Sequence, residues 1–241
     1  MNGVSVIGTT TWGTCLAGQL ARNGVTTTLL ARTELEATNL QSQRQHTHLL
    51  PGYMFPQNLT ISSDIQSALS NTSLVILAVP SQTFRQNIRL IKDHLAPGQV
   101  ILSASKGLEK HSGKRMTQIM EDELPERLRD GFCVLSGPNL AMEIIDQKPS
   151  SAVVAARNIN TATRAQSLLM SRIFRVYTNN DIIGVEFGGA LKNIIAIGCG
   201  IIDGLKYGDN SKAGLITRGL AEVTRMAVRA GANPLTFSGL A

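Results

Sequence analysis

Lys192 lies in Gly188-Gly189-Ala190-Leu191-Lys192-Asn193, among small and apolar neighbours where an ammonium is expensive to bury without a partner or a task. A lone lysine on a helix is usually solvated. Glycines before it and Asn193 after it favour a working amine, one able to give or take a proton as general acid or base. A second lysine follows an apolar run in Ser105-Lys106-Gly107, and Ser136-Gly137-Pro138-Asn139-Leu140-Ala141 follows another, so both segments stand at the mouths of strands. Strand ends of this kind are where doubly wound sheets hold ligands.

A third group sits near the start, in Gly8-Thr9-Thr10-Thr11-Trp12-Gly13. It matches G-x-G-x-x-G at the first and third glycines, with Thr10 in place of the second. Alone this is a weak motif, and a plain strand-to-helix turn without ligand is the alternative. Its place after the first strand favours the dinucleotide fingerprint, in which a helix N-terminus offers N–H groups and a positive dipole end to the phosphates. The Thr10 side chain must push the phosphates outward or swing aside, its hydroxyl compensating in part. At the end of the second strand, where Asp or Glu would select NAD, stands Arg32. A guanidinium forks onto a 2′-phosphate, so NADPH is the expected cofactor with NADH as second choice, the alternative for Arg32 being a solvated surface charge.

The elements that must position these residues alternate strand and helix: strands at 4–8, 25–31, 74–79, 100–103, 132–135, 152–156 and 174–177, with helices at 14–22 and 160–171. The expected fold class is α/β, an N-terminal Rossmann-type doubly wound sheet over residues 1–180. The start of an all-helical second domain follows over 181–241. There, scattered glycines on helical spacing suggest a helix buried as a spine, and Leu215–Arg229 continues as an amphipathic helix. Met116, Met120 and Leu124 fall on helical spacing as core. Glu121–Asp130 mixes signs like a solvated helical face.

Composition narrows the function. Of 241 residues, 43% are hydrophobic and 17% charged, and no run approaches the roughly 18 apolar residues of a membrane span. The Met1-Asn2-Gly3-Val4 start has no secretory pattern, so a cytoplasmic location is expected. Cys15, Cys133 and Cys199 are far apart, fitting free buried thiols. A net charge of +6 with 4% aromatic residues argues against a nucleic-acid groove and for small anionic ligands such as phosphate esters. His46 and His48 lie in a polar loop without a nearby carboxylate or cysteine and read as surface residues; no metal is expected.

Taken together, Val-Ile-Gly-x-x-x-Trp-Gly, Ala78-Val79-Pro80-Ser81, Ser105-Lys106-Gly107-Leu108-Glu109, Leu135-Ser136-Gly137-Pro138, Phe174-Arg175-Val176-Tyr177, Gly188-Gly189-Ala190-Leu191-Lys192-Asn193-Ile194-Ile195-Ala196 and Thr217-Arg218-Gly219-Leu220-Ala221-Glu222 resemble the bacterial-type NAD(P)-dependent glycerol-3-phosphate dehydrogenases along the whole chain. The lysine-bearing helix is far more discriminating than the glycine turn. The resemblance implies reversible conversion of dihydroxyacetone phosphate to sn-glycerol 3-phosphate, the entry to glycerophospholipid synthesis, and a possible homodimer. It also implies that Gly8, Thr10, Thr11, Trp12, Gly13, Arg32, Lys106 and Ala141 contact the cofactor. Lys106, Gly137, Asn139 and Asn193 would contact the phosphorylated substrate, with Lys192 both touching it and acting as the acid or base. Lys106 would attract the phosphate and, as a second cation, lower the proton affinity of Lys192.

Family members continue past Phe237-Ser238-Gly239-Leu240-Ala241 into a Gly-Asp-Leu turn and a Ser-Arg-Asn segment that grip the substrate. On that pattern the chain is expected to be truncated at its C-terminus, with little turnover at this length. Two rivals stand beside this reading. One is another Rossmann dehydrogenase with a helical second domain; the other is a non-catalytic dinucleotide-binding fragment, favoured by Thr10 and opposed by Lys106 and Lys192.

Overall fold

The computed structural model describes residues 3–239, so Met1, Asn2, Leu240 and Ala241 lie outside the described residues. The first half alternates β1 (Gly3–Ile7), α1 (Thr11–Arg22), β2 (Thr27–Leu30), α2 (Glu34–Gln43), β3 (Leu59–Ser62), α3 (Ile65–Leu69), β4 (Thr72–Leu77), α4 (Phe84–Ile91), β5 (Val100–Ser103) and α5 (Met116–Glu123). It continues through β6 (Phe132–Ser136), α6 (Ala141–Ile145), β7 (Ser150–Ala156), α7 (Ile159–Leu169) and β8 (Phe174–Asn179) to the long helices α8 (Ile182–Gly204) and α9 (Asp209–Arg229). The strands form one eight-stranded sheet in the order β3-β2-β1-β4-β5-β6-β7-β8. Neighbours are parallel except β6 and β7.

Strands buried on both faces read as unbroken apolar runs, and Leu74-Val75-Ile76-Leu77 is such a run, every residue inaccessible. One face packs on α1 and α7 through Leu16, Leu20, Ala165 and Leu169. The other packs on α3, α4 and α5 through Leu69, Phe84, Ile88 and Ile119. Met116, Met120 and Leu124 join that second layer, as their spacing requires. Because β2 and β4 lie on opposite sides of β1, the chain reverses its winding there and leaves a crevice beyond the carboxyl ends of β1 and β4.

Several boundaries differ from expectation for local reasons. Helix α1 begins at Thr11, not Thr14, because the Thr10 hydroxyl accepts from Gly13 N at 3.0 Å and caps the helix inside the glycine turn. Strand β3, only four residues long, and α2 were not anticipated. Glu121–Asp130 is largely solvated, as expected, but it is not one helix. The helix stops at Glu123, and its carboxylates face cations from other elements: Glu123 with Arg85 at 2.6 Å and Arg89 at 2.8 Å, and Asp122 with Lys114 at 2.7 Å. Those partners are invisible to a pattern confined to one segment.

The buried spine is also corrected. Helix α8 is buried mainly over its first turns, up to Gly189; beyond them Ile194 is 66% and Ile197 65% exposed, because the helix outruns strands β6 and β7 that support it and rests there on α9. By length and mean hydropathy (1.5) α8 could also cross a membrane, although Glu186, Lys192 and Asp203 leave no unbroken apolar run of that length, in line with the composition reading. Its Glu186 is paired inside the protein and its Lys192 faces a cleft.

Candidate functional site

A groove runs over the carboxyl ends of the strands in two hollows that share Thr10, Val79 and Pro80. The smaller, about 490 Å³, is bordered by Gly8, Thr9, Arg32 and Glu36; the larger, about 900 Å³, by Trp12, Lys106, Asn139, Lys192 and Asn193. Between them stands the N-terminus of α1, whose first turn holds no acidic residue, so its N–H groups and dipole end favour an anion. Gly8 adopts φ +108°, and a Cβ on Gly13 would lie 2.1 Å from Gly8 O. Strand and helix therefore meet as closely as a phosphate-binding turn requires. Thr10 takes the second of the two courses open to it: it swings aside, donating to Ala78 O at 2.7 Å, and leaves the helix end accessible. The two adjoining hollows, the glycine turn and the helix terminus between them fit an extended dinucleotide.

In the larger hollow the two lysines converge. Lys106 Nζ donates to Gly137 O at 3.1 Å, and Lys192 Nζ donates to the same carbonyl. Gly137 presents that oxygen because φ of +138° turns the chain sharply after β6, where a Cβ would meet Ala152 Cα at 2.9 Å. Lys106 also stands 5.8 Å from the centre of the Trp12 ring. Asn139 donates to Ser151 O at 2.9 Å, while its Oδ1 is buried without a partner among the described residues. Lys192, Ile195, Ala196 and Cys199 recur at helical spacing along the cleft wall.

Burial, and next the Lys192 cation, lower the proton affinity of Lys106 to about 7. Burial also lowers that of Lys192, while the Lys106 contact works in the opposite sense. The lowering of Lys192 expected from the sequence is thus present, with burial as its leading cause.

Both amines are held by anchored backbone. Asp181 caps α8, accepting from Gly184 N at 2.9 Å and from Thr236 Oγ1 at 2.6 Å. One and a half turns ahead of Lys192, buried Glu186 pairs with Arg115 and accepts from Thr117 N at 2.8 Å and Thr117 Oγ1 at 2.6 Å, which ties α8 to α5. Burial pushes the Glu186 carboxyl up and Arg115 opposes this. The Lys106 loop is pinned on one side by Ser105 donating to Val79 O at 2.6 Å and on the other by Glu109 paired with Arg85 at 2.8 Å.

Of the residues singled out in the sequence, Gly8, Thr10, Trp12, Arg32, Lys106, Asn139, Lys192 and Asn193 border the groove. Thr11, Gly13 and Ala141 stand behind its wall. Gly137 contributes a carbonyl already taken by both lysines, and Ala141 O accepts the Cys15 thiol at 3.5 Å. Cys199 is half-buried at the cleft rather than a core thiol, and His46 borders the smaller hollow rather than plain surface. Thr9 and Glu36 were missed; the Thr33-x-x-Glu36 spacing of a capping box is the signal that locates the second of them.

Family models described as the N-terminus and the C-terminus of NAD-dependent glycerol-3-phosphate dehydrogenase match residues 3–162 and 181–241. A glycerol-3-phosphate dehydrogenase [NAD(P)+] of Dehalococcoides mccartyi is 50% identical over 100% of this chain and 67% of its own length. Its counterpart in Chlorobium limicola is 43% identical over 99% of this chain and 72% of its own length. The crystal structure of the glycerol-3-phosphate dehydrogenase of Coxiella burnetii superposes with a TM-score of 0.90 at 34% identity, covering 99% of this chain and 72% of that one.

Proposed function

From membership in the NAD-dependent glycerol-3-phosphate dehydrogenase family, to which this chain belongs, we infer that it is an NAD(P)-dependent oxidoreductase interconverting dihydroxyacetone phosphate and sn-glycerol 3-phosphate, with Lys192 as its acid and base. The observation that carries the residue assignment is the meeting of two amines on Gly137 O, at the far end of a groove that begins at the glycine turn.

The first N–H groups of α1, at Thr11 and Trp12, beside the Gly8 turn that Gly13 and Thr10 shape from behind, would hold the pyrophosphate, Arg32 would face the 2′ position, and Trp12 and Lys106, backed by Ala141, would bound the nicotinamide end. When bound, the reduced nicotinamide supplies a hydride to the ketone carbon. The chain's own work is alignment and proton management. Lys192, as ammonium, leaves Gly137 O and donates its proton to the ketone oxygen as negative charge builds there; in the reverse direction its neutral amine takes the hydroxyl proton. Lys106 takes a proton as the phosphate arrives and pairs with it. Asn139, whose Oδ1 has no partner among the described residues, and Asn193 receive the substrate's hydroxyl and carbonyl groups.

The same reading favours NADPH over NADH through Arg32. It divides the chain into a dinucleotide-binding domain over 1–180 and the first helices of a substrate domain over 181–241. It places the protein in the cytoplasm as a homodimer feeding glycerophospholipid synthesis. The deciding experiment is Lys192→Met in the full chain: oxidation of NADPH with dihydroxyacetone phosphate should fall by a factor of about 100 or more, in line with loss of a general acid, with NADPH affinity by calorimetry unchanged. A near wild-type rate would remove Lys192 from the chemistry.

A further inference from the structure

The rule that reads cofactor choice from the end of β2 looks at Arg32 and overlooks a carboxylate delivered to the same place from the next helix. Thr33 caps α2, its hydroxyl accepting from Glu36 N at 3.2 Å. In an ordinary capping box the Glu36 side chain would turn back to the cap residue's own N–H. Here it reaches one residue farther, onto the strand exit: Oε2 accepts from Arg32 N at 3.0 Å and Oε1 from the Thr9 hydroxyl at 2.5 Å. The carboxylate is thus fixed between the glycine turn and the end of β2. It is half-buried and borders the smaller hollow.

The charges around it are few. Glu34 is engaged with Ser63, His46 borders the hollow, and the exposed Arg32 guanidinium makes no ion pair among the described residues. A free cation and a fixed anion therefore share one end of the groove. Each oxygen of Glu36 keeps a lone pair for a further donor. A ribose 2′-hydroxyl is such a donor, whereas a 2′-phosphate arriving on Arg32 would meet like charge.

We propose that Glu36 accepts the adenosine ribose hydroxyls, so that two opposed groups read the 2′ position, Arg32 favouring a 2′-phosphate and Glu36 a 2′-hydroxyl. This rests on the reading of the groove as a nicotinamide dinucleotide site. It makes NADH a true second cofactor rather than a weak substitute for NADPH.

The test is calorimetric titration of the full chain with NADH and with NADPH, for wild type, Glu36→Gln and Arg32→Ala. Glutamine keeps the length of glutamate and removes its charge: its Oε1 can still accept from Arg32 N, and its Nε2 can donate to the Thr9 hydroxyl in place of accepting from it. Glu36→Gln should weaken NADH about tenfold, the scale of a lost charged hydrogen bond, and leave NADPH unchanged or tighter. Arg32→Ala should move the ratio the other way. Equal weakening of both cofactors in Glu36→Gln would make Glu36 a loop anchor alone, and an unchanged pair of affinities would remove it altogether; either result overturns the proposal. Wild-type protein that binds neither nucleotide would instead overturn the groove reading itself, so the two failures are separate.

Discussion

At the scale of single residues, the two amines on one carbonyl control the proton inventory of the cleft. With Lys106 at about 7 in the free protein, much of it is neutral just above neutrality. A phosphate dianion settling beside it stabilises the charged form and raises its proton affinity, so binding must draw protons from solution. Calorimetry with glycerol 3-phosphate near pH 7.5, in buffers of different ionisation enthalpy, should record net proton uptake that vanishes in Lys106→Met. Absence of uptake would mean that Lys106 is charged before the ligand arrives. Lys106 and Lys192 were legible in the sequence because an amine among glycines and apolar residues contradicts its surroundings. Glu36 was not, because a carboxylate in a first helical turn is satisfied by capping and stands out only when its partner proves to be the strand exit.

At the scale of elements, the position of Lys192 depends on how α8 leaves the sheet. Glu186 and Arg115 are only 8% and 13% exposed, so deleting one partner leaves a poorly solvated charge. Glu186→Leu should therefore cost about 3 kcal/mol in unfolding free energy, the low end for a broken buried pair. The double replacement with Arg115→Leu should recover most of that loss in urea melts. Equal losses in the single and the double variant would show that the pair is not coupled. Runs such as Leu74–Leu77 and the Met116/Met120 stripe were legible because burial on one or both faces leaves a fixed period in the residue types. Strand β3 was not, since its four residues carry too short a pattern. The ion pairs of α5 were hidden because each half lies on a different element.

At the scale of the whole molecule, the sheet order follows from alternating strands and helices, whereas the exposure of the far half of α8 does not. Periodicity says that a helix has an apolar face; it cannot say how far the supporting sheet extends beneath it.

The chain holds a single tryptophan, and that residue forms a wall of the groove, with its indole N–H buried and without a partner among the described residues. Ultraviolet emission therefore reports from one address. Blue-shifted light from Trp12 should dim when reduced nucleotide enters, through energy transfer to the dihydropyridine ring, and shift red only when the sheet comes apart. Titration with NADPH followed by a denaturant ramp would check both. Dimming without a red shift marks occupancy, so one cuvette separates a filled groove from a lost fold. Emission already fully red-shifted in the native protein would contradict the half-buried setting of that ring and its buried N–H.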